Sequence, residues 1–238
     1  VTGDRLYFRQ LLAGRDIASN DSLARQMVNL VYLIGDRKSG EAVAVDPAYA
    51  PGEVVDILAA DGMRLTGVLA THYHADHVGG DLFGWQVVGI AELFEKLDVP
   101  IHAQEQEIPW IERNTGVGRG SLVSHEGGDV VRVGEIEIHL LHTPGHTPGS
   151  QCFLVDGRLV AGDTLFLEGC GRTDLPGSDP RSMYDSLVNR LATLPDDTVV
   201  FPGHLYSADA SASLAETKRR NPVLAPRKAE EWLALFGG

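Results

Sequence analysis

His72-Tyr73-His74-Ala75-Asp76-His77 sets three imidazoles and a carboxylate within six residues, directly after the apolar run Val68-Leu69-Ala70. Core packing does not explain such a cluster. An irregular turn after a strand, by contrast, aims alternate side chains into one pocket. Imidazole nitrogen and carboxylate oxygen are the donors that zinc, iron and manganese accept. The spacing predicts that His72 and His74 grip one metal ion while Asp76 and His77 grip a second beside it.

Three more positions repeat this grammar. His146 lies in the rigid turn Thr143-Pro144-Gly145-His146-Thr147-Pro148-Gly149-Ser150, Asp163 in Gly162-Asp163-Thr164, and His204 in Pro202-Gly203-His204. Each follows a predicted strand. Ligands collect at strand ends in α/β sheets because fixed strands aim their loops into a common crevice. The expected sets are His72, His74 and His146 for one ion, and Asp76, His77 and His204 for the other, with Asp163 bridging both. A bound cation lowers the pKa of its water from about 15.7 to about 7, and two ions about 3.5–4 Å apart hold hydroxide between them while polarising a carbonyl. His102, His125, His139 and His142 lack the glycine-turn setting and read as ordinary residues, although His142 stands four residues before His146. Tyr73, between two ligands, reads as a packing or supporting residue.

The elements that must position these residues follow from periodicity. Met27 to Ile34 and Ala42 to Val45 read as strands around a polar turn at Asp36 to Gly40. Pro51-Gly52-Glu53 opens a helix whose apolar stripe is Val54, Val55, Leu58 and Ala59, and Gly62 follows its end. Thr66 to Ala70 is the strand that delivers the histidine cluster. Ile90, Leu93, Phe94 and Leu97 mark an amphipathic helix. The stretch from Ile101 to Glu126, with Pro109-Trp110 and the run Gly116 to Gly120, reads either as an excursion over the surface and a candidate lid or as a plain helical insertion with a flexible end. Ile136, Ile138 and Leu140 alternate as in a half-buried strand, and Asp156-Gly157 between Gln151–Val155 and Arg158–Ala161 predicts a hairpin. A helix over Pro180 to Leu194, a strand over Thr198 to Phe201, and helices near Ala210 to Arg220 and Pro226 to Phe236 complete the pattern. The organisation expected is one α/β domain over residues 1–238, with the excursion at about 84–126.

Composition bounds the partners. The 238 residues carry 33 acidic against 20 basic side chains, a net charge of -13 that repels nucleic acid phosphates and anionic membranes. No apolar run approaches the ~20 residues needed to span a bilayer. Val1-Thr2-Gly3-Asp4-Arg5 has no signal-peptide pattern, and two cysteines, Cys152 and Cys170, are too few for a disulfide framework. A reducing cytoplasm is the expected location, and the expected partner is a small molecule.

Thr71-His72-Tyr73-His74-Ala75-Asp76-His77 with Gly79-Gly80, and the three downstream turns in order, resembles the metallo-β-lactamase superfamily. The resemblance runs from about Met27 to about Pro222, and the Asp46-Pro47 step after a strand is also similar. It implies an α/β fold, specifically a four-layer αββα sandwich with metals at one edge of two sheets. Ala161-Gly162-Asp163-Thr164-Leu165-Phe166, leading to Gly169-Cys170-Gly171-Arg172, resembles the branch of glyoxalase II-type thioester hydrolases and persulfide dioxygenases. Arg172-Thr173-Asp174 and Lys218-Arg219-Arg220-Asn221-Pro222 look more like the dioxygenases. A hydrolase would use all seven ligands and two divalent ions, most simply zinc, with Asp76 both ligating and orienting the nucleophilic hydroxide toward a thioester or related acyl carbonyl. A dioxygenase would use His72, His146 and Asp163 for one Fe(II), leaving open positions for oxygen and a persulfide, with His74, Asp76, His77 and His204 supporting the site without ligating. The hydrolase is preferred because both ligand sets are complete and hydrolysis is the commoner superfamily chemistry; lactonase or β-lactamase activity ranks below both. Cys170, Arg172 and Tyr206 are candidate walls of the substrate site. For Cys170 the competing reading is a packed cysteine, and for Arg172 a loop-fixing ion pair with Asp174.

Overall fold

The computed structural model describes residues 5–225 and 227–237. Its contacts divide the chain into two compact units: the described residues up to His125 together with Val130–Ile138, and Glu126–Asp129 together with the described residues from His139 onward.

The first unit is built on a six-stranded sheet. Its strands are β1 (Leu6–Leu12), β2 (Leu30–Asp36), β3 (Glu41–Val45), β4 (Arg64–Leu69), β5 (Ile101–Gln104) and β6 (Leu122–His125), in that spatial order. The β1–β2 and β2–β3 pairs are antiparallel and the three others parallel. Helix α1 (Ser22–Met27) precedes β2, and α2 (Pro51–Ala60) is the crossover between β3 and β4. Pro51 supplies the first-turn proline, and Val54 and Leu58 are buried, as the stripe predicts, whereas Ala59 faces solvent. Val31, Leu33, Ala42, Ala44, Val68, Ile101 and Ala103 form the buried heart of this unit with Val54, Leu58, Ile90 and Leu93.

Two expectations need correction here. The strand predicted from Met27 begins at Leu30, because Asp21 caps α1 through Leu23 N and Ala24 N and the helix runs to Met27 before Val28 turns left-handed at φ +50°. The segment read as a surface excursion belongs largely to the sheet. Ile101–Gln104 and Leu122–His125 are parallel strands, joined by helix α3 (Ile108–Thr115), and Ile101, Ala103, Ile108 and Ile111 are buried. Four-residue strands are too short to show a period amid the prolines and glycines around them. The hairpin Gly80–Leu82/Trp85–Val87 forms a separate two-stranded ribbon.

The second unit has its own sheet. Five of the six strands of this sheet are β7 (Ile136–His142, whose first three residues belong to the first unit), β8 (Gln151–Val155), β9 (Arg158–Gly162), β10 (Val199–Pro202) and the short β11 (Ala212–Ser213), adjacent in that order; the sixth is Val130–Val133. Asp156 and Gly157 take φ +45° and +73°, the two positive angles of a tight hairpin turn, so this prediction holds. β9 and β10 are parallel, joined by a helical run from Pro180 to Thr193 that starts on the Asp179 cap. Helix α4 (Leu214–Arg220) and helix α5 (Ala229–Phe236) follow; Pro226, where the last helix was expected to start, lies outside the described residues. Cys152, Leu159, Ala161, Met183, Leu187, Val200, Leu214 and Trp232 form this unit's core. The α/β class read from the sequence is thus observed in both units.

Candidate metal centre

In the first unit, β4 ends at Leu69 and the chain leaves the sheet through Ala70 and Thr71. His72 follows, His74 takes extended backbone, and Asp76 and His77 lie in a single helical turn, Ala75–Val78, that begins after His74. His72, Asp76 and His77 are buried, and His74 is half-buried. His72 Nε2 and His74 Nδ1 face each other at 3.0 Å. Two nitrogens on one tetrahedral zinc, at about 2.0–2.1 Å each, stand roughly 3.4 Å apart, so this pair is close to a ligand edge. Asp76 Oδ2 lies 3.5 Å from His77 Nε2 and makes a second donor pair.

One carboxylate sets the orientation of both pairs. Asp46 Oδ1 accepts from Thr71 N at 2.8 Å, and Oδ2 accepts from Thr71 Oγ1 at 2.6 Å and from His77 Nδ1 at 2.9 Å. Thr71 Oγ1, its proton given to Asp46, accepts in turn from His72 Nδ1 at 3.0 Å. Both imidazoles are therefore protonated at Nδ1 and offer the Nε2 lone pair, the tautomer a metal needs. The ligand atoms of Asp46, His72 and His77 lie within 4.8 Å of one another. Asp46 nevertheless orients rather than ligates, because its oxygens are committed to Thr71 and His77. The fold brings it there through register: β3 pairs with β4 so that Val45 stands opposite Leu69, and Asp46 N then donates to Leu69 O. At φ +52° Asp46 adopts a left-handed backbone that aspartate tolerates better than most residues.

Tyr73, between the two ligands, is pinned on three sides. Its N donates to the buried Glu107 carboxylate at 2.7 Å, its carbonyl accepts from Asn114 Nδ2 at 3.1 Å, and its ring stacks on Trp110 at 4.8 Å. All three partners come from the segment read as an excursion, whose observed part is to hold the ligand loop.

The second unit presents His146, Asp163 and His204. The His146 turn is closed by Thr143 N to Ser150 O at 2.8 Å and by the Thr147–Ser150 hydroxyl pair at 2.7 Å. His146 Nδ1 donates to Arg172 O at 2.8 Å, leaving Nε2 as the donor atom. Asp163 follows β9, and its Oδ2 lies 3.3 Å from His204 Nε2 and 3.7 Å from His146 Nε2. One carboxylate oxygen against two imidazole nitrogens is what a shared ligand requires. Glycines permit this: a Cβ on Gly171 would strike Asp163 O and crowd His146 Nδ1, and one on Gly203 would strike Asp163 Oδ1.

The candidate wall residues divide. Tyr206 stacks on His204 with ring centres 4.7 Å apart and planes within 8°, and it is 56% exposed. Arg172 turns its guanidinium onto Asp174 in two 2.8 Å bonds, so its side chain fixes the loop while its carbonyl fixes His146. Cys170 is a half-buried free thiol that burial pushes up to about 12, which makes it a poor nucleophile. Glu168, Cys170, Arg172, Arg220, Val223 and Phe236 are among the residues that line a cavity of about 630 Å³ in this unit. The four histidines set aside have other surroundings. His102 Nδ1 pairs with His125 Nε2 at 2.8 Å, His139 faces outward, and His142 Nε2 donates to Pro148 O at 3.0 Å.

Sequence reasoning missed Asp46 as an orienting residue, and it missed Asn29, Tyr49, Glu107 and Asn114 entirely. The Asp46-Pro47 step was the one available signal.

Comparison with known proteins bears on the whole chain. Residues 25–204 match the model of the Metallo-beta-lactamase superfamily. A hydroxyacylglutathione hydrolase of Bradyrhizobium sp. (strain ORS 278) is 38% identical over 205 residues, 85% of this chain and 72% of that protein. The mitochondrial persulfide dioxygenase ETHE1 of Homo sapiens is 30% identical over 239 residues, 96% of this chain and 86% of that protein. The crystal structure of ETHE1 from Myxococcus xanthus superposes with a TM-score of 0.78 at 33% identity, covering 98% of this chain and 90% of that one.

Proposed function

Since this chain belongs to the metallo-β-lactamase superfamily, whose fold its solved relatives share, we propose that it is a metal-dependent hydrolase cleaving a thioester or related acyl compound. The observation that carries this reading is the doubling of the donor pairs in the first unit. His72 with His74, and Asp76 with His77, are separate pairs, and Asp46 holds one imidazole of each in the ligating tautomer. A one-ion site would leave Asp76 and His77 beside the metal without ligating it.

On this reading His72, His74 and His146 would hold one ion, Asp76, His77 and His204 would hold the other, and Asp163 would serve both. Bound zinc ions would supply hydroxide at neutral pH and Lewis acidity toward the acyl carbonyl. Asp76 orients the attacking group, while Arg172 O and Asp46 keep His146 and His77 from turning. Tyr206, Cys170 and Arg172 border the acyl or thiol portion of the substrate. Both cysteines are free, which suits the reducing cytoplasm, and no helix among the described residues is long and apolar enough to cross a membrane.

A second reading, a mononuclear-iron persulfide dioxygenase using His72, His146 and Asp163, is favoured by near full-length similarity to the human enzyme and by Arg172-Thr173-Asp174. Elemental analysis of protein purified under low oxygen without added metal separates the two. About two zinc ions per chain with thioester turnover supports the hydrolase, whereas about one iron per chain with persulfide-dependent oxygen uptake replaces it. In the hydrolase, His77→Ala removes the second ion and most activity; two ions retained in that variant would contradict the assignment.

A further inference from the structure

Behind the second donor pair lies a buried amide that the proposed chemistry has not used. Asn29 sits just before β2, 2% exposed. Its Nδ2 donates to Asp76 Oδ2 at 3.0 Å and lies 3.3 Å from His77 Nε2. Its Oδ1 accepts from Tyr49 OH at 3.2 Å, and its own carbonyl accepts from Ala13 N at 2.9 Å. The Tyr49 hydroxyl decides which way the amide faces. With Oδ1 taken by a donor, Nδ2 must point at Asp76 and His77. Tyr49 is itself fixed, with φ +70° and its N donating to Val88 O at 2.7 Å.

We propose that Asn29, aligned by Tyr49, is a positioning residue for the Asp76–His77 metal position, and that it acts on that ion and not on the one held by His72 and His74. This rests on the two-ion reading above. The amide bonds to Asp76 and Tyr49 and lies beside His77, whereas His72 is oriented through Thr71 and Asp46. An amide N–H at one carboxylate oxygen fixes the plane of Asp76. It also drains charge from that oxygen and so tempers the affinity with which the carboxylate holds a cation. Removing such an outer partner from a metal site commonly costs 10–100-fold in affinity, because the ligand's orientation is lost.

The test is stepwise zinc titration of metal-free full-length protein against a chromophoric chelator, with cobalt(II) absorption reporting the geometry of each ion. Asn29→Leu keeps the side chain's size and removes its donor. It should weaken the second ion by 10–100-fold, leave the first within about 3-fold, and alter only the second cobalt spectrum. Tyr49→Phe, which leaves the amide in place but unaligned, should weaken the second ion by a smaller factor. The double variant should match Asn29→Leu alone, since Tyr49 acts through Asn29. Wild-type affinity for both ions in Asn29→Leu overturns the proposal, as does equal weakening of both, the mark of a merely structural role. If Asn29→Leu does not fold, the same two outcomes are read from Tyr49→Phe. A wild-type protein that takes up only one ion would overturn the two-ion reading itself.

Discussion

Asp46→Asn isolates the tautomer argument. Asparagine tolerates the left-handed backbone at this position and has the shape of aspartate, so the turn after β3 is preserved. One oxygen still accepts from Thr71 N. The other becomes an NH2 group facing two donors, Thr71 Oγ1 and His77 Nδ1. The hydroxyl can rotate away. The imidazole cannot, and its way out of the clash is to move its proton to Nε2, the atom that must ligate. Two losses follow. The metal-free protein loses one buried hydrogen bond to a charged acceptor, about 1.5–3 kcal/mol; for a chain of this length that lowers Tm by about 3–12 °C. Metal uptake loses 10–100-fold at the Asp76–His77 position, or about 1.4–2.7 kcal/mol. Calorimetry of the chelated protein measures the first and competitive zinc titration the second. An unchanged Tm together with undiminished uptake of both ions would refute the claim that Asp46 sets the tautomer.

Other substitutions reach different parts of the site. Asp163→Ala should abolish turnover under either reading and lower the metal content; near-normal turnover would sink its role as a shared ligand. His102 titrates in the folded protein near 4 because burial, and then the charge of His125, disfavour its cation. Its folded pKa lies below the unfolded 6.5, so its stabilising contribution is full above about pH 6.5 and is lost as pH falls toward 4, by about 3 kcal/mol in all. Urea unfolding at pH 7 and pH 4.5 should show this slope, and His102→Gln should reduce it. Cys170, its thiol held protonated, should resist iodoacetamide at pH 8 in the folded protein and react after unfolding, as followed by mass spectrometry. Rapid alkylation of the native chain would contradict the packed state.

The candidate ligands were legible because their signals are local. Alternation in His72-Tyr73-His74 and Asp76-His77, a glycine or proline beside each ligand, and apolar runs before them are properties of a few consecutive residues, and backbone geometry turns them directly into side-chain direction. The Asp156-Gly157 hairpin and the α2 helix were readable for the same reason. The residues that orient the ligands were not. Asp46 reaches Thr71 and His77 only because parallel pairing sets Val45 against Leu69, and Asn29 reaches Asp76 across 47 positions of sequence. The 101–125 segment looked peripheral because its strands are four residues long, and only pairing with β4 made them part of the sheet. Arg172 shows the division within one residue: the sequence offered its guanidinium, but the loop spends that on Asp174 and gives His146 the carbonyl. Sequence by itself determined which atoms can bind metal. Tertiary structure decided which proton each imidazole carries and what keeps it there, because those depend on partners that only the register of the sheets brings within 3 Å.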